Sequence, residues 1–137
     1  MLCLVPTPIG NLEDISQRSL RILVEAELIF CEDTRVTKKL LNLLGEKQNL
    51  DFSNKEYKSF HSHNENNILQ SLTKETFTKN VVYVSDAGMP CVSDPGASLV
   101  DYCIKNDIAY DVLPGANAIL TAYAMSGFPH TTFSFYG

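Results

Sequence analysis

The chain has 137 residues, of which 45% are hydrophobic and 20% charged, with a formal net charge of −5. That is enough chain for one domain with its own core, and nothing approaches the roughly 18 consecutive apolar residues of a membrane span. The acidic balance argues against a free-standing nucleic-acid binder, whose affinity comes mainly from phosphate neutralisation, but not against RNA held locally as a substrate.

The start, Met1–Pro6, lacks the basic region and long apolar stretch of a signal peptide, so a cytoplasmic location is expected. Leu2–Val5 predicts a first strand. It runs into Pro6–Asp14, and Asp14 or Ser16 offers a cap for a helix over Ile15–Glu25. Leu28–Cys31 predicts a second strand, followed by a helix over Thr37–Leu44 that Gly45 would stop. Asp51–Lys58 is polar and reads as a loop, with Ser59-Phe60 as the core of a short third strand. Asn64 is placed to cap a helix over Glu65–Thr76. Val81–Val84 is a compact β-branched and aromatic run, the fourth strand, and Ala97–Lys105 the helix after it. Tyr110–Leu113 predicts a fifth strand with a helix beyond. Thr132–Gly137 reads as the beginning of another strand. Regular alternation of strand and helix predicts an α/β fold: about five strands in a mostly parallel sheet with helices on both faces. The division expected is a domain over 1–131 and, at 132–137, the start of a segment leading to a further domain.

Three loops carry the chemistry. They follow the first, fourth and fifth strands: Pro6–Asp14, Ser85–Gly96 and Pro114–Ala118. Five of the six prolines and four of the seven glycines sit in them. Proline fixes a loop's shape, and glycine lets its backbone approach something closely. Ligands bind at the carboxyl ends of strands in open α/β sheets, so one composite pocket is expected there.

Other groups have two readings. The cysteines, Cys3, Cys31, Cys91 and Cys103, are widely spaced and read as reduced packing residues. Glu32 and Asp33 either cap the following helix or supply a general base. Arg35, Lys38 and Lys39 share a helix face that is either simply solvated or contacts phosphate. His61 and His63 with Glu65 form a polar strand-end loop or a substrate-facing wall; no third ligand cluster supports a metal there. There is no G-x-x-x-x-G-K-[ST], no G-x-G-x-x-G after the first strand and no G-x-S-x-G.

Read in order, P-T-P-I-G-N-L-E-D, C-E-D-T-R-x-T-x-x-L-L, H-x-H-N-E, V-S-D-A-G-x-P-x-x-S-D-P-G and L-P-G-x-x-A span Leu2 to Gly137. Together they resemble the N-terminal domain of the tetrapyrrole-methylase-like (class III) methyltransferases, and within them the ribosomal RNA small subunit methyltransferase I group. The resemblance implies S-adenosylmethionine as donor and the ribose 2′-hydroxyl of a cytidine in 16S rRNA as acceptor. It also implies a two-domain homodimer with the donor held between domains. Its match assigns Pro8, Gly10 and Asn11 to the first donor-facing loop. Asp86, Ala87, Gly88, Met89 and Pro90 follow in the second loop, continued by Ser93, Asp94, Pro95 and Gly96, and Pro114, Gly115 and Ala116 in the third. Asp33, Glu32 and His63 are the candidate bases; Arg35, Lys38, His61 and Glu65 are expected to meet the substrate. Two other readings stand beside this one: a non-catalytic cofactor-binding or dimerisation module, and a tetrapyrrole precursor methylase.

Overall fold

Five short strands, β1 (Leu2–Leu4), β2 (Leu28–Cys31), β3 (Glu56–Ser59), β4 (Val81–Val84) and β5 (Tyr110–Val112), form one sheet in the computed structural model, which describes residues 1–137. The order is β3-β2-β4-β1-β5, and every pairing is parallel. Leu4 lies opposite Tyr83 and Val112, and Cys31 opposite Val84 and Ser59. The loops after the strands therefore leave one common edge.

Alternation along the strands divides the apolar side chains between two cores. Cys3, Ile29, Cys31, Val82 and Val84 pack with α1 (Gln17–Glu25) and α2 (Thr34–Gln48) through Leu20, Leu23, Leu41 and Leu44. On the opposite face Leu2, Leu4, Phe30, Val81 and Tyr83 pack with Leu72, Phe77, Leu99 and Cys103. Those residues come from the segment after α3 (Glu65–Ser71) and from α4 (Gly96–Lys105). The fifth helix, α5 (Ala118–Ser126), buries no residue. Strands covered on both faces must be apolar throughout, as β1, β2 and β4 are. All four cysteines are free thiols, three of them buried. No helix is long and apolar enough to cross a membrane.

The expected α/β architecture is present, and several details differ. Ser16, not Asp14, caps α1 by accepting from the Ser19 N–H at 3.0 Å; Asp14 ends a 3-10 turn, Leu12–Asp14. The third strand is Glu56–Ser59: it includes Ser59 of the expected Ser59-Phe60 core but begins inside the stretch read as a loop and ends before Phe60, because an edge strand needs only one apolar face and here exposes Glu56 and Lys58. The helix begun at Glu65 ends at Ser71, and Phe77 reaches the core from a separate 3-10 turn, Lys74–Thr78. Asn64 stands at the N-cap position without capping; its side chain closes the preceding turn, accepting from His61 N–H at 2.9 Å and donating to Ser59 O at 3.0 Å. Thr132–Gly137 carries no regular element.

Gly45 does not stop α2, which continues to Gln48 and closes with Asn49 in the left-handed region at φ 54°. The glycine serves packing instead, since a Cβ there would lie 2.8 Å from the Leu50 carbonyl oxygen. Helix propensity alone favours Gly45→Ala by about 1 kcal/mol. The backbone clash opposes it with the roughly 1–3 kcal/mol typical of overpacking. Gly45→Ala is therefore expected to lower the urea midpoint; a raised midpoint would mean that the 49–52 turn gives way freely.

Candidate functional site

The loops after β1 and β4 are locked backbone to backbone. Thr7 N–H donates to Gly88 O at 3.0 Å and Gly88 N–H to Thr7 O at 3.1 Å, an isolated antiparallel bridge beside a parallel sheet. The Thr7 hydroxyl accepts from Gly88 N–H at 3.1 Å and donates to Ser85 O at 3.3 Å, and the Ser85 hydroxyl donates to Gly88 O at 3.2 Å. Thr7 and Ser85 are both buried, so these bonds form away from water. Gly88 holds φ +85°, and a Cβ on it would lie 3.0 Å from Ile9 Cγ2 and 3.4 Å from Ala116 O. The third loop lies against the first as closely: a Cβ on Gly115 would be 2.4 Å from Pro6 Cβ. The three loops thus meet around Gly88, as their composition predicts.

Between them lies a cavity of about 340 Å³, within the usual range for small-molecule sites. Ala87, Gly88, Met89, Ser93 and Asp94 of the expected donor loop line it, with Glu32. Sequence reasoning missed Ile9, Ser85, Val92, Asn117, Ala118, Ile119 and Phe135. Asn117 had a readable signal: it closes the Pro114-Gly115-Ala116 turn and caps α5, accepting from Leu120 N–H at 3.0 Å. Ile9 and Val92 are apolar residues inside the loops already singled out, whereas nothing in the sequence ties Phe135 to the cavity. The remaining expected donor-site residues lie outside the lining. Pro8, Gly10 and Asn11 continue the first loop, where Asn11 caps the 3-10 turn through Glu13 N–H at 3.0 Å. Asp86 is exposed; Pro90 and Gly96 are buried; Pro95, Pro114, Gly115 and Ala116 flank the site.

Two carboxylates and no cationic side chain face this cavity. Glu32 Oε1 accepts from Asp86 N–H at 3.1 Å, while Asp86 Oδ1 accepts from Asp33 N–H at 3.1 Å, a reciprocal brace between the ends of β2 and β4. Burial, reinforced by the neighbouring Asp86 and Asp94 carboxylates, holds the Glu32 carboxyl above its ordinary range. Asp94 Oδ1 accepts from the Tyr83 hydroxyl at 2.7 Å and from Gly96 N–H at 2.8 Å.

The other candidates are engaged differently. Asp33 caps α2 through Arg35 N–H at 2.8 Å and receives the Arg35 guanidinium at 3.1 and 2.7 Å. Those bonds hold its carboxyl down at about 2. The Arg35 side chain is 89% exposed, and Lys38 Nζ sits 5.0 Å over the Tyr57 ring. The rings of His61 and His63 meet edge-on at 5.9 Å, with His61 Nδ1 buried and unpartnered. Glu65 accepts from the Ser98 hydroxyl at 3.0 Å, tying α3 to α4.

The Asp33 shift has a defined sign. A carboxyl whose folded pKa is depressed to about 2 from 3.8 contributes stability that is complete above pH 3.8 and lost as pH falls toward 2. Arg35→Ala is expected to flatten the fall in thermal midpoint across that window, followed by circular dichroism; parallel curves would remove the pair from the acid response. For the bridge, Thr7→Val removes both side-chain hydrogen bonds, at a cost of about 1–2 kcal/mol, which urea unfolding would measure. An unchanged midpoint would mean the backbone exchange alone suffices.

A family model described as "Tetrapyrrole (Corrin/Porphyrin) Methylases" matches residues 1–135. "Ribosomal RNA small subunit methyltransferase I" of Campylobacter fetus is 53% identical over 138 residues, covering 100% of this chain and 51% of that protein. The protein of the same name from Helicobacter pylori J99 is 46% identical over 144 residues, covering 100% of this chain and 50% of its own length. This chain thus spans about half the length of the curated relatives it matches. Among solved structures, uroporphyrin-III C-methyltransferase from Thermus thermophilus superposes with a TM-score of 0.62 at 18% identity, over 89% of this chain and 51% of that one. A second structure of that enzyme, complexed with S-adenosylhomocysteine, gives 0.61 at 19% identity, over 89% and 51%. These structures share the fold.

Proposed function

The chain belongs to the tetrapyrrole (corrin/porphyrin) methylase family, and from it we propose an S-adenosylmethionine-dependent methyltransferase whose acceptor is the ribose 2′-hydroxyl of a cytidine in 16S rRNA. In this reading residues 1–131 form one side of the donor site, to which the segment 132–137 adds Phe135.

The observation that carries the proposal is the lining of the cavity. It holds Glu32 and Asp94 among Ile9, Met89, Val92 and Ile119, with no lysine, arginine or histidine. Such a site suits a ligand that brings its own positive charge together with apolar surface. When bound, S-adenosylmethionine supplies an electrophilic methyl group on a sulfonium centre. The names of the full-coverage relatives support RNA as acceptor over a tetrapyrrole precursor.

Roles follow from the side chains. Glu32 is the best placed candidate base, because it lines the cavity and its raised pKa makes it a stronger proton acceptor than Asp33. Asp33 is committed to Arg35. His63 is exposed and outside the lining. Arg35 and Lys38, on the first turns of α2, would contact RNA phosphates, with His61 and Glu65 forming a polar substrate-facing wall after β3. Holding donor and acceptor in line supplies several kcal/mol of the barrier reduction. A homodimer working in the cytoplasm belongs to the same reading.

The test is a calorimetric titration of S-adenosylmethionine into the 137-residue chain, with Gly88→Val as control. Valine at φ +85° is strained and would press on Ile9. Binding by the parent chain that weakens at least tenfold in Gly88→Val supports the donor site. Equal binding by both would move the site away from these loops, and no binding by the parent chain would overturn the reading for this chain.

A further inference from the structure

We propose that Tyr83 is a positioning residue for the donor site, holding one oxygen of Asp94 so that the other is left to meet the donor's positive charge. The proposal rests on the donor-binding reading above. Tyr83 is the last residue but one of β4, and its ring is fully buried in the core shared with α4. It meets Phe60 edge-on at 6.0 Å. Gly96 fixes it from the other side, where a Cβ would lie 2.5 Å from Tyr83 Cε1. Only a glycine lets the first turn of α4 sit against this ring.

Held this way, the Tyr83 hydroxyl emerges from an otherwise apolar face at one point, 2.7 Å from Asp94 Oδ1. The same oxygen takes Gly96 N–H at 2.8 Å. Both bonds fall on Oδ1; Oδ2 takes none, and Asp94 lines the cavity. A helix cap needs one acceptor and one backbone donor. The tyrosine adds a second, side-chain donor reached from the core, which fixes the carboxylate's rotation as well as its place. Glu32 is arranged alike, with Oε1 taken by Asp86 N–H. Each carboxylate on the cavity is thus held by one oxygen.

The experiment compares affinities for S-adenosylmethionine, which carries a sulfonium charge, and S-adenosylhomocysteine, which has a neutral thioether. Titration of the full chain, Tyr83→Phe and Asp94→Asn gives the ratio of the two for each. The parent chain should prefer the charged ligand. That preference should fall about tenfold in Asp94→Asn, which removes the charge facing the ligand, and about threefold in Tyr83→Phe, which keeps the charge and loses one ordinary hydrogen bond that orients it. A purely structural tyrosine would weaken both ligands by one factor and leave the ratio unmoved, which would overturn the proposal. Circular dichroism establishes folding of each variant. If Tyr83→Phe does not fold, Asp94→Asn, which keeps the Oδ1 acceptor, decides: an unchanged ratio there overturns the proposal. If the parent chain binds neither ligand, the donor-site reading fails first and the proposal with it.

Discussion

Loops at the carboxyl edge of a parallel sheet inherit no partner from the sheet, and their backbone groups must be satisfied some other way. Here the exchange between Thr7 and Gly88 does it, turning two independent loops into one rigid unit. The rest of the site depends on that exchange. It brings Ile9 over Gly88, leaves room for the Ala116 carbonyl, and fixes where the segment carrying Met89 to Asp94 can begin. The Thr7 and Ser85 hydroxyls make the unit self-sufficient, because each buried polar atom bonds to another within it.

Neighbouring carboxylates in this structure have been given opposite characters. Glu32 and Asp33 are adjacent in sequence, yet one is pushed up by burial and nearby carboxylates and the other pulled down by a guanidinium. The separation follows from where β2 ends. Glu32 still belongs to the sheet edge and faces the cavity, while Asp33 has turned outward to cap α2. One residue of chain thus divides two jobs between them, one committed to the helix and the other free to respond to a ligand.

What the sequence made legible was what burial forces on composition. β1, β2 and β4 are covered on both faces and read as unbroken apolar runs; the glycine and proline content of three loops marked the edge where they meet. Of β3 only Ser59 was legible, because an edge strand can be half polar, and Lys58 and Glu56 look like loop residues until the pairing with β2 is known. Gly45 misled for a related reason. Its meaning lies in a carbonyl five residues on, a contact that local pattern does not carry. Within the site, Thr7, Ser85 and the hydroxyl of Tyr83 were overlooked, since each resembles an ordinary residue of a strand end until its partner on another loop is seen. Phe135 reaches the cavity by a path that no periodicity encodes.

The strand order has a consequence for how the chain is made. β1 pairs only with β4 and β5, so Leu2–Leu4 has no strand partner until Val81–Val84 has been synthesised. At about 5–20 residues per second, that leaves the first strand waiting on the order of 4–16 seconds on a ribosome. During that interval the pair available is β2 with β3, which can form once Ser59 is out. Pairings this distant in sequence also slow folding, because loop closure must precede the contacts that reward it. Leu2–Val5, an unbroken apolar run that the finished fold buries, thus stays without its strand partners until Val84 has been made.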